Sequence, residues 1–281
     1  MTIESMLVVG AGQMGSGIAQ VAAQAGLEVT IVDVSPEALQ RAQERIKAGI
    51  EKAAKRGAIK ADEVGGMLAR VKTATGYDAL SVDLAVEAVT ENEALKREVF
   101  ARLDQVVKPG GVIATNTSSL SITRLATATK RPEAVIGMHF MNPVPMMALV
   151  EIIRGAQTSE PTFEQTVEVA RRMGKTVVVA RDFPGFIVNR LLIPYLNEAC
   201  YALMEGVGSV EDIDAAMKLG TNVPMGPFKL ADFIGLDTCL SIMEVLHKGL
   251  GDDKYRPCPL LRQYVDAGWL GKKAGRGFYK Y

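Results

Sequence analysis

The 281-residue chain is 48% hydrophobic and 23% charged, an ordinary composition for a soluble globular protein of one large or two ordinary domains. Lys+Arg and Asp+Glu are both 32, so no basic excess points to nucleic acid or an anionic membrane, and an acidic ligand must meet a local positive patch. No apolar run reaches the roughly 18 residues of a membrane span, and a strand-like run from about Ile3 leaves no room for a signal or transit peptide, so a cytoplasmic protein is expected.

The apolar run at residues 6–9 predicts a strand buried on both faces. Gly10, Gly12 and Gly15 then spell G-x-G-x-x-G. Ile18, Val21, Ala22 and Ala25 follow at helical spacing, and Gly26 suits the helix end. "LEVTIVD" (27–33) reads as a second strand. The next helix has Ser35 as N-cap, Pro36 at its first position and the stripe Leu39, Ala42, Ile46, Ile50. Further strands are expected at 84–89, 111–115, 134–140 and 175–180. Between them lie helical patterns such as "ALKREVFARLDQVV", before a Lys108-Pro109-Gly110 turn, and "EPTFEQTVEVARRMG". Alternating strands and helices predict an α/β fold, a doubly wound and mostly parallel sheet.

The pattern changes at "RDFPGFIVNR". Beyond it the strand signal stops, and "FIVNRLLIPYLNEACYALMEG" carries too wide an apolar stripe for a solvated surface helix. Ser209 and Asp212 form a capping box for the next helix, and helices are expected in "DTCLSIMEVLHKGLG" and "CPLLRQYVDAG". A nucleotide-binding domain over 1–184 followed by an all-helical domain over 185–281 is therefore expected. Cys200, Cys239 and Cys258 are odd in number and widely spaced, so they read as reduced structural thiols, and no metal site is expected.

The glycine motif follows a strand, opens a helix and is trailed by Asp33 at the end of the second strand, close to the ~20-residue spacing of a dinucleotide site. Gly10 permits the tight turn, Gly12 lets backbone approach a pyrophosphate, and Gly15 lets helix and sheet pack closely. With Gln13 and Met14, these glycines put a helix N-terminus against phosphates. Asp33 would accept from the ribose hydroxyls and repel a 2′-phosphate, which favours NAD over NADP. A flavin uses the same motif. Three more groups fall at strand ends, where ligands of such sheets bind: Glu91 with Lys96, the segment 115–119, and His139 with Asn142.

His139 is one of only two histidines in the chain. Oxidation of an alcohol by hydride transfer needs a group to take the hydroxyl proton, and histidine, with an ordinary pKa of ~6.5, suits that task. Glu151 lies in the apolar run "ALVEII", where an unpaired carboxylate is costly. Pairing with His139 would relieve that cost and fix the ring. The alternative is a core histidine and an unrelated strand-edge glutamate. His247, near a helix C-terminus, is given no catalytic role.

Together, "VVGAGQMGSGIAQ", "VEAVTENEALKREVFARLD", "ATNTSSLSIT", "GMHFMNPVPMMALVEII", "RDFPGFIVNR", "GPFKLADFIGLD" and "GKKAGRGFYKY" resemble the L-3-hydroxyacyl-CoA dehydrogenases, over essentially the whole length. The resemblance implies a Rossmann-type domain followed by a helical one that forms a homodimer. It implies NAD as cofactor and an acyl-CoA as substrate. By the same resemblance His139 is the catalytic acid and base, Glu151 its orienting partner, Ser118 the group on the substrate's 3-oxygen, and Asn189 the residue that completes the site. Glu91, Lys96, Asn116, Ser118, Asn142 and Lys273 match contacts on the NAD side. The chain departs from the family pattern at Met141, and in the segment after Gly49, which is about one helical turn short and lacks a serine expected at the CoA. Lys52, Lys55, Arg56 and Lys60 remain as candidates for the CoA phosphates. An L-gulonate-type sugar-acid dehydrogenase and a catalytically silent NAD-binding scaffold are the competing readings.

Overall fold

The computed structural model describes residues 2–77 and 79–281. The chain divides into two compact units, the first ending at Phe183 and the second spanning Pro184–Tyr281.

In the first unit the elements run β1 (Ser5–Val9), α1 (Gln13–Gln24), β2 (Glu28–Val32), α2 (Pro36–Lys55), α3 (Val64–Ala69), β3 (Val71–Ala74), β4 (Val82–Glu87), α4 (Glu93–Val106) and β5 (Val107–Thr115). Then come α5 (Ile122–Ala126), β6 (Val135–Phe140), β7 (Leu149–Arg154), α6 (Glu160–Arg172) and β8 (Thr176–Arg181). They form one eight-stranded sheet in the order β3-β2-β1-β4-β5-β6-β7-β8. The first six strands are parallel, β7 runs antiparallel to β6, and β8 is parallel to β7. This is the α/β, Rossmann-type doubly wound sheet that the sequence predicts, extended by a reversed pair of strands.

Every residue of β4 and β6 is buried, as expected of strands covered on both faces. The helices cover the sheet with apolar stripes; α2 buries Leu39, Ala42, Ile46 and Ile50, and Ser35 Oγ caps it by accepting from the Ala38 amide at 3.1 Å. β3, α3, α5 and β7 were not expected from the sequence. The Lys108–Gly110 turn is absorbed into β5 as an irregularity: Gly110 has φ 76°, and the β4–β5 register slips between Val82 and Leu84. Beside this slip, Asp83 accepts from the amides of Glu4 and Ser5, from Ser5 Oγ and from Lys108 Nζ at 2.8–3.0 Å. Burial alone would raise its pKa, but those donors outweigh it and hold the carboxyl at about 2.

The second unit is all helical: α7 (Val188–Met204), α8 (Val210–Thr221), α9 (Pro227–Ile234), α10 (Leu236–Leu250) and α11 (Pro259–Asp266). Its core gathers Ile193, Leu196, Cys200, Phe228, Met243 and Leu246. α9 lies in "GPFKLADFIGLD", where no helix was expected. Its Asp232 is buried and receives the amides of Phe278 and Tyr279 at 2.9 Å, tying the last turn of chain to the unit. Cys200, Cys239 and Cys258 are free and buried. Among the described residues no helix is long and apolar enough to cross a membrane, and no cluster could hold a metal ion.

Candidate active site

The sheet order reverses between β1 and β4, and the chain opens there. Gly10 leaves β1 with φ 106°, and a Cβ on it would lie 2.6 Å from the Ala88 carbonyl oxygen. A Cβ on Gly15 would collide with the Gly10 carbonyl. Gly12 is different: a Cβ there would meet nothing within 4 Å. Two of the three glycines are thus required by the fold, and the third faces open space at the start of α1. That helix has no side-chain cap and no acidic residue in its first turn, so its amides and partial positive charge are presented to an anion. These features fit a dinucleotide's pyrophosphate. Asp33 takes the Ala11 amide on Oδ2 at 2.8 Å and the Ser35 amide on Oδ1 at 3.0 Å, so it also braces the glycine turn.

A buried polar network lies at the ends of β4 and β5. Lys96 of α4 is 1% exposed and Glu87, which ends β4, is 0% exposed. Lys96 Nζ sits 2.6 Å from Glu87 Oε1 and 3.2 Å from Glu91 Oε2. Glu87 also receives the Val89 amide and the Thr115 hydroxyl. Glu91 in turn accepts from the Thr117 hydroxyl, the Ser118 amide at 2.9 Å and the Ser119 hydroxyl at 3.2 Å. Burial would raise the pKa of Glu91, but the Lys96 charge and the Thr117 and Ser118 donors prevail and hold it below the usual range. Glu91 is therefore an anionic hub that fixes the Ser118 backbone. The far end of the same segment is held by Asp182, which receives the Ser121 hydroxyl and the amides of Ile122 and Thr123 at 2.8–2.9 Å.

His139 and Glu151 are directly paired across the antiparallel β6–β7 ladder. Nδ1 of the ring is 2.7 Å from Glu151 Oε2; the histidine is 6% exposed and the glutamate fully buried. Facing residues of antiparallel strands project to the same side of a sheet, which is why a spacing of twelve residues brings them together. The next strand over contributes Asn116, whose Oδ1 accepts from the Phe140 amide at 2.9 Å. Asn142, beyond β6, accepts on Oδ1 from Gln13 Nε2 at 2.9 Å and so joins the His139 segment to the glycine turn.

The first unit thus gathers the glycine turn, Gln13, Asn142, Asn116, Ser118, Glu91, Lys96, His139 and Glu151 at one end of its sheet. Asn189 lies in the first turn of α7 and Lys273 near the chain end, both in the second unit, where Lys273 Nζ bonds both oxygens of Asp237 at 2.6 and 2.7 Å. Lys52 and Arg56 line a cavity of about 560 Å³ between α1, the end of α2, the 143–146 loop and the end of α6, together with Arg172; Lys55 and Lys60 are exposed and do not line it. A smaller cavity lined by Gln13, Ser16, Arg45 and Asn142 shares Gln20, Pro143 and Pro145 with it, so the cationic groove and the pocket beside the glycine turn are neighbours. The sequence reading missed Glu87, Arg172 and Asp182. For Glu87 the signal was present, a carboxylate in the apolar run "LAVEAV"; for Arg172 and Asp182 no local pattern marks a role.

Residues 5–183 match the NAD-binding domain of 3-hydroxyacyl-CoA dehydrogenase, and residues 185–281 match that family's C-terminal domain. A probable 3-hydroxybutyryl-CoA dehydrogenase of Bacillus subtilis is 56% identical over 282 residues, covering 100% of this chain and 98% of its own. A 3-hydroxybutyryl-CoA dehydrogenase of Bradyrhizobium diazoefficiens is 55% identical over 280 residues, covering 99% and 96%. The crystal structure of (S)-3-hydroxybutyryl-CoA dehydrogenase from Ralstonia eutropha superposes with a TM-score of 0.96 at 47% identity, covering 100% of this chain and 99% of that one. With the dinucleotide turn described above, the chain belongs to the 3-hydroxyacyl-CoA dehydrogenase family, and it is an oxidoreductase whose cofactor is NAD.

Proposed function

We propose that the enzyme interconverts (S)-3-hydroxyacyl-CoA and 3-oxoacyl-CoA, with 3-hydroxybutyryl-CoA as its principal substrate. The observation that carries this reading is the buried His139–Glu151 pair at the strand ends beside the glycine turn. Bound NAD supplies the acceptor for the hydride that leaves C3. The chain's own residues handle the proton: as the C3–H bond breaks, the 3-hydroxyl proton passes to His139 through Nε2, because Nδ1 is committed to Glu151. Glu151 fixes the tautomer and offsets the charge gained by the ring. Ser118, set by Glu91, would hydrogen-bond the 3-oxygen, and Asn189 would complete the site. Glu91, Lys96, Asn116 and Asn142 organise the NAD side, and Lys273 is assigned to it by family likeness.

Lys52 and Arg56 would hold the CoA phosphates, since both line the groove and Arg172 adds a third cation to its end. Lys55 and Lys60 then serve at most as outlying positive charge. The reading includes a domain boundary after residue 184 and a homodimer through the second unit. The latter is supported by Leu191, Val207, Leu219 and Phe233, large apolar side chains left exposed on that unit. A cytoplasmic location is part of the same reading.

The test is steady-state kinetics with acetoacetyl-CoA and with L-gulonate, using NADH or NADPH for reduction and NAD for oxidation. Turnover of acetoacetyl-CoA with a strong NADH preference is expected. Turnover of gulonate alone would move the chain to the sugar-acid reading, and no turnover of either would favour a scaffold.

A further inference from the structure

We propose that Lys175 is a positioning residue whose buried ammonium holds one wall of the cationic groove and so sets affinity for the nucleotide-bearing end of the substrate. The inference rests on the acyl-CoA reading of that groove.

Lys175 follows Gly174, which ends α6 with φ 71°. Its side chain turns inward and is almost wholly buried. Nζ donates to the Val144 carbonyl at 2.6 Å and the Met147 carbonyl at 2.9 Å. Both acceptors are backbone carbonyls of one turn, which is also closed by the amides of Met146 and Met147 on the Pro143 carbonyl. Burial pushes the lysine's pKa down, the cost of seating a cation there. A charge kept at that cost on two loop carbonyls holds the loop: without it, the buried Val144 carbonyl and the part-buried Met147 carbonyl lose their donor.

The loop held is the one that matters to the groove. Pro143, Pro145 and Met146 form its apolar wall, facing Lys52, Arg56 and Arg172. A second contact seats the same turn on α1, where a Cβ on Gly17 would come within 2.9 Å of Val144 Cβ. The loop joins β6 to β7, yet the His139–Glu151 pair is fixed by the strand ladder itself. Loosening the loop should therefore move the groove wall and leave the acid–base pair in register. That separates binding of the substrate's distal end from the chemical step.

The experiment compares wild type, Lys175→Met and Gly17→Ala. Methionine removes the charge at similar length, and alanine at 17 pushes the turn from the other side, so the wall is tested even if one variant folds poorly. Each protein is assayed with acetoacetyl-CoA and with acetoacetyl-N-acetylcysteamine, a thioester that ends near the reacting carbons and cannot reach the cationic end. The expected result is about a tenfold rise in KM for acetoacetyl-CoA in both variants, the scale of weakening one charged hydrogen bond between the groove and the CoA phosphates. The KM for the truncated thioester and kcat at saturating NADH should stay near wild type. An unchanged KM for acetoacetyl-CoA in both variants, or an equal rise for both thioesters, would overturn the role of Lys175. A wild type that shows no preference for the CoA ester over the truncated one would overturn the groove reading beneath it, an outcome visible before any variant is made.

Discussion

Two buried carboxylates, Glu87 and Glu151, each stand in an apolar strand and each meet a nitrogen base at bonding distance, yet they do different work. Glu87 faces Lys96, a cation with nowhere to go: the pair braces the ends of β4 and β5 and, through Glu91, the Ser118 segment. Glu151 faces His139, the residue proposed as the acid and base of the reaction. His139→Gln is expected to lower kcat by about 10²–10⁴-fold with NADH binding little changed, since general acid–base groups contribute on that scale. Glu151→Gln preserves size and one hydrogen bond, so its loss should be smaller if the glutamate mainly orients the ring, and close to that of His139→Gln if it mainly stabilises the imidazolium. In the double variant the losses should not add, because residues acting as one unit are non-additive. Single-turnover rates of the four proteins check this; additive losses would mean the two residues act independently.

At the scale of elements, the Asp83 cluster beside the β4–β5 slip ties the start of β1 to β4 and β5. The folded pKa of Asp83 is about 2, below its ordinary value of 3.8. A depressed carboxyl stabilises the fold above the unfolded pKa and loses that contribution as pH falls through the folded one. The window is therefore from about pH 4 down to about pH 2, and the contribution is on the order of 2 kcal/mol. Urea unfolding of wild type and Asp83→Asn over that range should give a difference that is constant at neutral pH and shrinks in acid. A gap that stays the same at pH 2 would remove the carboxylate from the account.

Much at this scale was legible in advance. The parallel strands and covering helices announce themselves by buried runs and 3.6-residue stripes, and Ser35, Pro36 and Ser209 mark helix starts by chemistry alone. Short elements such as α5, five residues long, are too brief for a periodic signal. β7 was visible as an apolar run around Glu151 but not as a strand, because its direction depends on pairing with β6 and no local preference encodes that. At the candidate site, His139, Glu151 and Ser118 could be picked out from residue chemistry and family likeness. Asp182 could not: its three donors lie about sixty residues away in sequence, and only the tertiary fold brings them to it.

At the scale of the whole molecule, the two units bury their apolar residues in separate cores. Leu219 is 85% exposed and Val207 73%, more apolar surface than a helical unit leaves open without reason. The enzyme is expected to sediment as a dimer at micromolar concentration. Leu219→Glu with Phe233→Glu should shift it towards the monomer by placing unpaired charges in the contact. Sedimentation velocity of wild type and the double variant decides it; an active monomeric wild type would contradict the homodimer.

The antiparallel pairing of β6 and β7 has a kinetic meaning as well. Both strands lie inside the sheet, and the residues from Ile136 to Phe140 are laddered one for one with Arg154 to Val150. Such strands open only with large cooperative units of a protein, whereas loops open locally and often. His139 and Glu151 should therefore be among the last groups to lose their arrangement under mild heat or denaturant. Early inactivation would come instead from the segments around Ser118 and Pro143, which connect elements and lie outside the ladder. Hydrogen exchange makes the contrast measurable: amides of residues 136–140 and 150–154 should exchange at rates set by global unfolding, and those of 141–148 much sooner. Equal exchange across the hairpin would mean that the pair is held no more firmly than the loop between its strands.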